Sequence, residues 1–373
     1  MLYKATLGLC AVCFMASVIM VMTGAGKNAG PLFILFFISL SIGFRGFEQL
    51  KAFSYPAIIF AAVTTALYYP SNFTAINGFA LTALITPLLQ LIMFGMGTSM
   101  SVKDFAGVVK MPKGVMIGVF SHFLIMPLIG FLLANCSGFS PEIAAGIILI
   151  GCSPNGMASN VISYLAKANL ALSITITAVS TLLAPIVTPL LMKLLAGQFV
   201  QVDVLDMMFG IVKMVILPIG AGLLFNRFLS GRAKWLDKAM PLVSMFGITC
   251  TILIITAAGR DSLLDIGPVL FLIVLAHNLT GYTLGYWTGR LFRMKERDCR
   301  TIAIEVGMQN GSLASGIAKE MGKIATVGLA PAIFGPLMNI TGSLLASYWH
   351  KKPIVEKAKN ETTTGGVKKE IFI

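Results

Sequence analysis

The stretch EVGMQNGSLASG, Glu305 to Gly316, lies inside an otherwise apolar part of the chain. It carries one carboxylate, two amides, two hydroxyls and three glycines. A second such stretch, GCSPNGMASNVISYL, runs from Gly151 to Leu165. Both contain Asn-Gly followed shortly by Ala-Ser: Asn155-Gly156-Met157-Ala158-Ser159, and Asn310-Gly311-Ser312-Leu313-Ala314-Ser315. Polar, helix-breaking residues at the centre of apolar segments are expensive in lipid, so their recurrence asks for a reason.

Composition fixes the solvent. Of 373 residues 57% are hydrophobic and 12% charged, whereas soluble domains carry about 45–50% apolar and about 25% charged residues. So few charges cannot cover so much apolar surface, and the chain reads as an all-α polytopic membrane protein. The apolar runs are long and apolar all round, unlike the alternating strands of a membrane barrel. Twelve segments are expected: about 5–24, 31–46, 52–70, 80–101, 114–135, 142–166, 170–195, 206–228, 238–258, 267–291, 300–321 and 325–349. The first has an apolar core longer than a signal peptide and only TGAG as a cleavage site, so it reads as a retained span.

The net charge of +13 resides in particular loops, so topology accounts for it and nucleic acid need not. Lys103, Lys110 and Lys113 share one loop, and Arg227, Arg232, Lys234 and Lys238 another. Arg290, Arg293, Lys295, Arg297 and Arg300 crowd a third, and the tail adds Lys351, Lys352, Lys357, Lys359, Lys368 and Lys369. Twelve spans put all four on one side. Lys and Arg mark the cytoplasmic face, which predicts a plasma (bacterial inner) membrane protein with both termini in the cytoplasm. The six cysteines (Cys10, Cys13, Cys136, Cys152, Cys250 and Cys299) are scattered and read as packing residues.

Segments three to seven and eight to twelve form two blocks of five, at 51–196 and 203–350, preceded by two extra segments in 1–50 and followed by a basic tail, 351–373. An odd span count inverts the second block relative to the first, a recurring plan in secondary transporters. The two polar stretches fall at the fourth span of their blocks, 310 − 155 = 155 residues apart. Interrupted segments at matching positions of two halves point to a transport site.

Glu305 is a carboxylate deep in a span with no deep Lys or Arg to pair with, which favours a cation partner. Ser173 and Thr177 are one helical turn apart and share a face. With Ser159, Asn160 and Glu305 they would make an all-oxygen cage, which suits a hard alkali ion, Na⁺, better than a transition metal. No H-E-x-x-H and no nucleophile–base spacing is visible, and His122, His277 and His350 lie in separate segments, so the chain does not read as an enzyme.

With LIMFGMG (91–97), HNLTGY (277–282) and NITGSLLASYW (339–349), the two interrupted motifs resemble the bile acid:sodium symporter family, bacterial type, over about 75–350. The resemblance implies two inverted five-helix repeats arranged as a panel and a core domain, with discontinuous helices crossing in the core. It implies sodium-coupled symport of a small organic anion (a bile acid, pantothenate or a keto acid) across the lipid bilayer. By position it implies a first Na⁺ site of Ser159, Asn160, Ser173, Thr177 and Glu305, and a second of Glu305, the carbonyls of Val306 and Met308, Gln309 and His122. It makes Asn155, Gly156, Met157, Asn310 and Asn339 candidate substrate contacts. Three features depart from it. His122 and Met157 stand where bile-acid-importing members carry Gln and a small hydroxyl residue, and Met338 stands where they carry His. The first two segments have no counterpart in the ten-helix plan. Sodium stoichiometry, the identity of the anion and oligomeric state stay open, and a cation/proton antiporter with similar crossed helices remains the alternative.

Overall fold

The computed structural model describes residues 2–47, 50–101, 104, 106–229 and 234–352. Lys103, Arg232 and the basic tail beyond Lys352 lie outside the described residues. Helices dominate. Those longer than four residues are α1 (Leu2–Met22), α2 (Gly30–Phe44), α3 (Ser54–Tyr68), α4 (Ile85–Ser99) and α5 (Pro112–Ser137). Then follow α6 (Pro141–Cys152), α7 (Ala158–Leu165), α8 (Leu170–Ala196), α9 (Val204–Ile211) and α10 (Leu217–Leu229). The last are α11 (Lys234–Ala258), α12 (Arg260–Leu291), α13 (Glu296–Gly307), α14 (Gly311–Glu320) and α15 (Leu329–His350). One two-residue hairpin, Ala75–Ile76 with Phe79–Ala80, turns at Asn77-Gly78, both at positive φ; this is the pair such a turn favours.

Seven helices among the described residues are long and apolar enough to cross a membrane, α9 and α10 counting as one stretch. Each of the twelve segments read from sequence falls on helix. Two are split: 142–166 into α6 and α7, and 300–321 into α13 and α14. The segment expected at 267–291 begins earlier, at Arg260. Arg260, Asp261, Asp265 and Pro268 look like a boundary in sequence. The helix nevertheless runs through Pro268, and the Arg260 guanidinium donates to Leu67 O at 2.6 Å at the end of α3. Between α9 and α10 the turn widens to a π-helix over Val212–Ile216, just before Pro218; such a turn accommodates a residue with no N–H.

The packing separates two groups of helices. α3, α4, α10 and α11 pack on one another, and α1 and α2 reach this group through α3. At its tightest point a Cβ on Gly97 would lie 2.2 Å from Ile219 O, and one on Gly222 2.3 Å from Phe94 O. Only glycine lets α4 and α10 cross so closely, a common device in membrane bundles. The second group is α5 with α6, α8, α12, α13 and α15, around the two split helices. Its buried core includes Met126, Ile147, Ile150, Ile302, Ile304 and Phe334.

Among the described residues, some of the basic segments meet at one end. Lys113 Nζ donates to Phe292 O at 2.9 Å, joining two basic loops. Arg300, buried at 2% exposure, donates to Glu296 at 2.9 Å, Ala166 O at 3.2 Å and Trp349 O at 3.1 Å. It thereby closes the C-terminal ends of α7 and α15.

Candidate functional site

Splitting a helix frees carbonyls on one side of the break and N–H groups on the other, and in lipid each must find a partner. Around both breaks, groups of the chain itself supply them. Cys152 O at the end of α6 accepts from Thr188 Oγ1 at 2.7 Å, and Ser153 O from His122 Nε2 at 2.8 Å. Gly307 O at the end of α13 accepts from Asn278 Nδ2 at 2.9 Å, and Val306 O from Gln309 Nε2 at 2.7 Å. The breaks also bond to each other, Gly156 N to Met308 O at 3.2 Å and Asn310 N to Pro154 O at 2.8 Å, around an antiparallel bridge of Asn155 and Gln309. The polar stretches are thus the two arms of one crossing. A Cβ on Gly156 would lie 2.7 Å from Gln309 O, so glycine is what lets the arms touch.

Glu305, fully buried, is held in α13 just before the break. Ser173 Oγ donates to its Oε1 at 2.5 Å, and Thr177 Oγ1 to its Oε2 at 2.9 Å. Asn160 Oδ1 competes for the same two hydroxyls, at 2.8 Å from Ser173 and 3.4 Å from Thr177. Ser159 Oγ lies 3.3 Å from Thr177 Oγ1. Three elements converge: α7 brings Ser159 and Asn160, α8 brings Ser173 and Thr177, and α13 brings Glu305. The cluster holds six side-chain oxygens and only three hydroxyl protons.

Energetics then ask for a positive partner. Removing a carboxylate from water costs several kcal/mol even after relaxation, and about 20 kcal/mol in the Born limit. Two hydrogen bonds to the charged group return about 1.5–3 kcal/mol each. The only other charged residue among the buried ones described is Arg300, engaged at the far end of α13. A hard cation with oxygen ligands would supply the missing charge, and no group of three His, Cys, Asp or Glu among the described residues offers a softer metal site. The C-terminal ends of α6 and α13 meet at the break, and their dipoles add negative potential there.

The residues expected at a second cation position are also brought together. His122 on α5, Val306, Met308 and Gln309 are all fully buried at the crossing. Val306 stays within α13, and its carbonyl lacks an intrahelical donor because the last carbonyls of any helix do, so it can accept from Gln309 Nε2. Both ring nitrogens of His122 already have partners in the chain, Nε2 with Ser153 O at 2.8 Å and Nδ1 with the Asn155 amide at 3.0 Å and Glu305 O at 3.2 Å, so the ring does not stand free as a ligand.

Beside the crossing lies a cavity of about 360 Å³, between α4 and α11 on one wall and the break residues with α15 on the other. Gly156, Met157, Asn310 and Asn339 line it; Asn155 does not, because its amide turns back to His122 and Glu305 O. Six methionines, Met93, Met96, Met157, Met240, Met245 and Met338, give the cavity an apolar, adaptable wall, and none of its lining residues is charged. Polarity comes from Ser99, Ser244, Thr251, Ser312 and Ser315, and from the amides Gln309, Asn310 and Asn339. The N-terminal ends of α7 and α14 border it, and Asn310 Oδ1 caps α14 through Leu313 N at 3.0 Å. The sequence reading missed the α11 wall (Met240, Ser244, Met245, Thr251) and Thr188, which carry no local motif. Asn278 lies in HNLTGY but had no role assigned.

Comparison with known proteins identifies the family. Residues 86–266 match the family described as sodium bile acid symporter. An uncharacterised sodium-dependent transporter of Bacillus subtilis (YocS) is 39% identical over 314 residues, 84% of this chain and 95% of the relative. The chloroplast protein named probable sodium/metabolite cotransporter BASS1 is 34% identical in Arabidopsis thaliana over 70% of this chain and 66% of the relative. In rice it is 31% identical over 83% of this chain and 76% of the relative. The chain belongs to the sodium bile acid symporter family.

Proposed function

We propose that the chain is a Na⁺-driven symporter importing a small organic anion by alternating access. The observation that supports this best is the buried Glu305 carboxylate in a proton-poor cluster of hydroxyl and amide oxygens. Na⁺ would be held first by Glu305, Ser159, Asn160, Ser173 and Thr177, neutralising the carboxylate and fixing the crossing. The relatives' names, sodium-dependent transporter and sodium/metabolite cotransporter, favour Na⁺ as the coupling ion. A single buried carboxylate among the described residues favours symport over cation/proton antiport, which trades protons on carboxylates.

The anion would occupy the 360 Å³ cavity, its charge facing the starts of α7 and α14 and its body against the methionines. An apolar wall without a cationic side chain fits a bile-acid-like, pantothenate-like or keto-acid-like monoanion. In this reading the chain from 51 to 196 and from 203 to 350 forms two inverted five-helix units. The basic end faces the cytoplasm, with both termini, in a plasma membrane. One helix group rocks against the other to switch access.

Uptake by proteoliposomes tests the assignment. A panel of radiolabelled organic anions should yield substrates accumulated under an inward Na⁺ gradient and not under K⁺. Glu305→Ala should abolish that accumulation. Full Na⁺-driven uptake by the variant would sink the assignment.

A further inference from the structure

A second cavity, of about 640 Å³, lies at the basic end of the molecule. Four cations line it: Lys110 and Lys113 from around the start of α5, and Lys295 and Arg297 from around the start of α13. One carboxylate lines it, Asp298, and its Oδ1 already accepts from Asn169 Nδ2 at 2.8 Å. The neighbouring Glu296 is turned to Arg300 and to Tyr286, each at 2.9 Å. Of the four cations, only Lys113 has a side-chain partner among the described residues, and that partner is neutral: Phe292 O at 2.9 Å. The starts of α5, α8 and α13 all border the cavity, and a helix start carries positive potential. The cavity is therefore short of negative charge.

Loop topology accounts for cations at this end but not for their convergence on one cavity. Asn169 fixes that convergence. Its N–H donates to Thr301 Oγ1 at 2.8 Å, joining the starts of α8 and α13. Its Oδ1 caps α8 through Leu172 N at 3.2 Å, and its Nδ2 holds Asp298. Lys113, through Phe292 O, ties α5 to the same place. The four charges thus stand around packed helix ends.

Two features say which anion fits. Met111, Leu170, Leu172 and Met294 also line the cavity, so it is amphipathic. Lys113 also heads an apolar stripe on α5. Met116, Phe120 and Leu124 follow it at helical spacing and are 72%, 69% and 43% exposed. On a helix long and apolar enough to cross a membrane, such a stripe faces lipid.

We propose that this cavity holds the phosphate of an anionic phospholipid, whose acyl chains lie along the α5 stripe. Basic pockets between membrane helices suit such headgroups. Free phosphate shares the charge but makes no use of the stripe. The proposal stands apart from the sodium-coupled reading, since none of its residues belongs to the Glu305 cluster.

Thermal unfolding of the delipidated protein in detergent tests it. The titrants are dioleoyl-phosphatidylglycerol, dioleoyl-phosphatidylcholine and inorganic phosphate. Phosphatidylglycerol should stabilise the wild type saturably; phosphatidylcholine with the same chains, and inorganic phosphate at equal concentration, should not. Lys295→Gln with Arg297→Gln should raise the phosphatidylglycerol midpoint about 25-fold, each cation near an anionic headgroup contributing about fivefold. Arg227→Gln with Lys351→Gln removes the same charge outside the cavity and should leave the midpoint in place. Equal stabilisation by the two lipids, or none by either, would overturn the proposal. So would an unmoved midpoint in the cavity variant, or one shift shared by both double variants. Inorganic phosphate matching phosphatidylglycerol would make this a site for a free anion and overturn the lipid assignment.

Discussion

Gly156→Ala is the sharpest test of the crossing. The new Cβ would sit 2.7 Å from Gln309 O, a backbone atom with no side-chain freedom to yield. Reaching a tolerable contact near 3.2 Å requires the arms to part by about 0.5 Å (3.2 − 2.7). The Gly156 N to Met308 O bond, now 3.2 Å, would open to about 3.7 Å and be lost. The Asn310 N to Pro154 O bond would stretch from 2.8 Å to about 3.3 Å and weaken. One lost hydrogen bond contributes about 1 kcal/mol, and overpacking adds about 1–3 kcal/mol. The expected destabilisation is thus about 2–4 kcal/mol, concentrated where Na⁺ binds. If half of it, about 1–2 kcal/mol, falls on the ion-bound state, Na⁺ affinity drops about 5- to 30-fold. The assay is thermal unfolding in detergent, with and without NaCl, at constant ionic strength with choline chloride. Gly335→Ala is the control, because its Cβ would meet nothing within 4 Å. Gly335→Ala should match or slightly exceed wild-type stability, since Ala favours a helix interior over Gly. If Gly156→Ala and Gly335→Ala share one melting temperature and one Na⁺ midpoint, the close crossing is wrong.

Three further substitutions separate ion binding from framework. Ser173→Ala removes a 2.5 Å hydrogen bond to the Glu305 carboxylate and an oxygen of the cluster; the Na⁺ midpoint of thermal stabilisation should rise about 10- to 100-fold. Thr188→Val leaves Cys152 O without its 2.7 Å donor, so stability should fall by about 1–3 kcal/mol in denaturant unfolding while the Na⁺ midpoint stays unchanged. Arg300→Lys replaces a planar fork that reaches Glu296, Ala166 O and Trp349 O by a point charge; the melting temperature should fall, again with the Na⁺ midpoint unchanged.

Hydropathy alone was enough for the helices, because lipid admits only apolar spans and leaves little choice of conformation. The most displaced boundary, at Arg260, shows what hydropathy omits: charges at a span's end can belong to the helix when they reach a neighbour such as Leu67 O. The breaks were legible for the same reason as the spans, since Pro154, Gly156 and Glu305 are out of place in lipid. What could not be read was how the breaks satisfy one another. Asn155 was a candidate substrate contact through the resemblance, but its amide turns to His122 and Glu305 O, partners far away in sequence. The α11 wall of the cavity was invisible because methionine, serine and threonine there look like any membrane helix.

The crossing places opposite charge preferences back to back. The C-terminal ends of α6 and α13 meet on the side of Glu305, where a cation is favoured. The N-terminal ends of α7 and α14 border the cavity, where an anion is favoured. Gln309 belongs to both sides: it lines the cavity, yet its Nε2 holds Val306 O. Asn310 likewise joins the bridge through its N–H and caps α14 through its side chain. On the proposed reading, an ion drawn to Glu305 therefore tightens the crossing, whose Gly156, Gln309 and Asn310 also line the cavity. Symport then needs no relay through the protein. The ion and the anion share one piece of backbone, and whichever binds first pre-pays the ordering that the second requires.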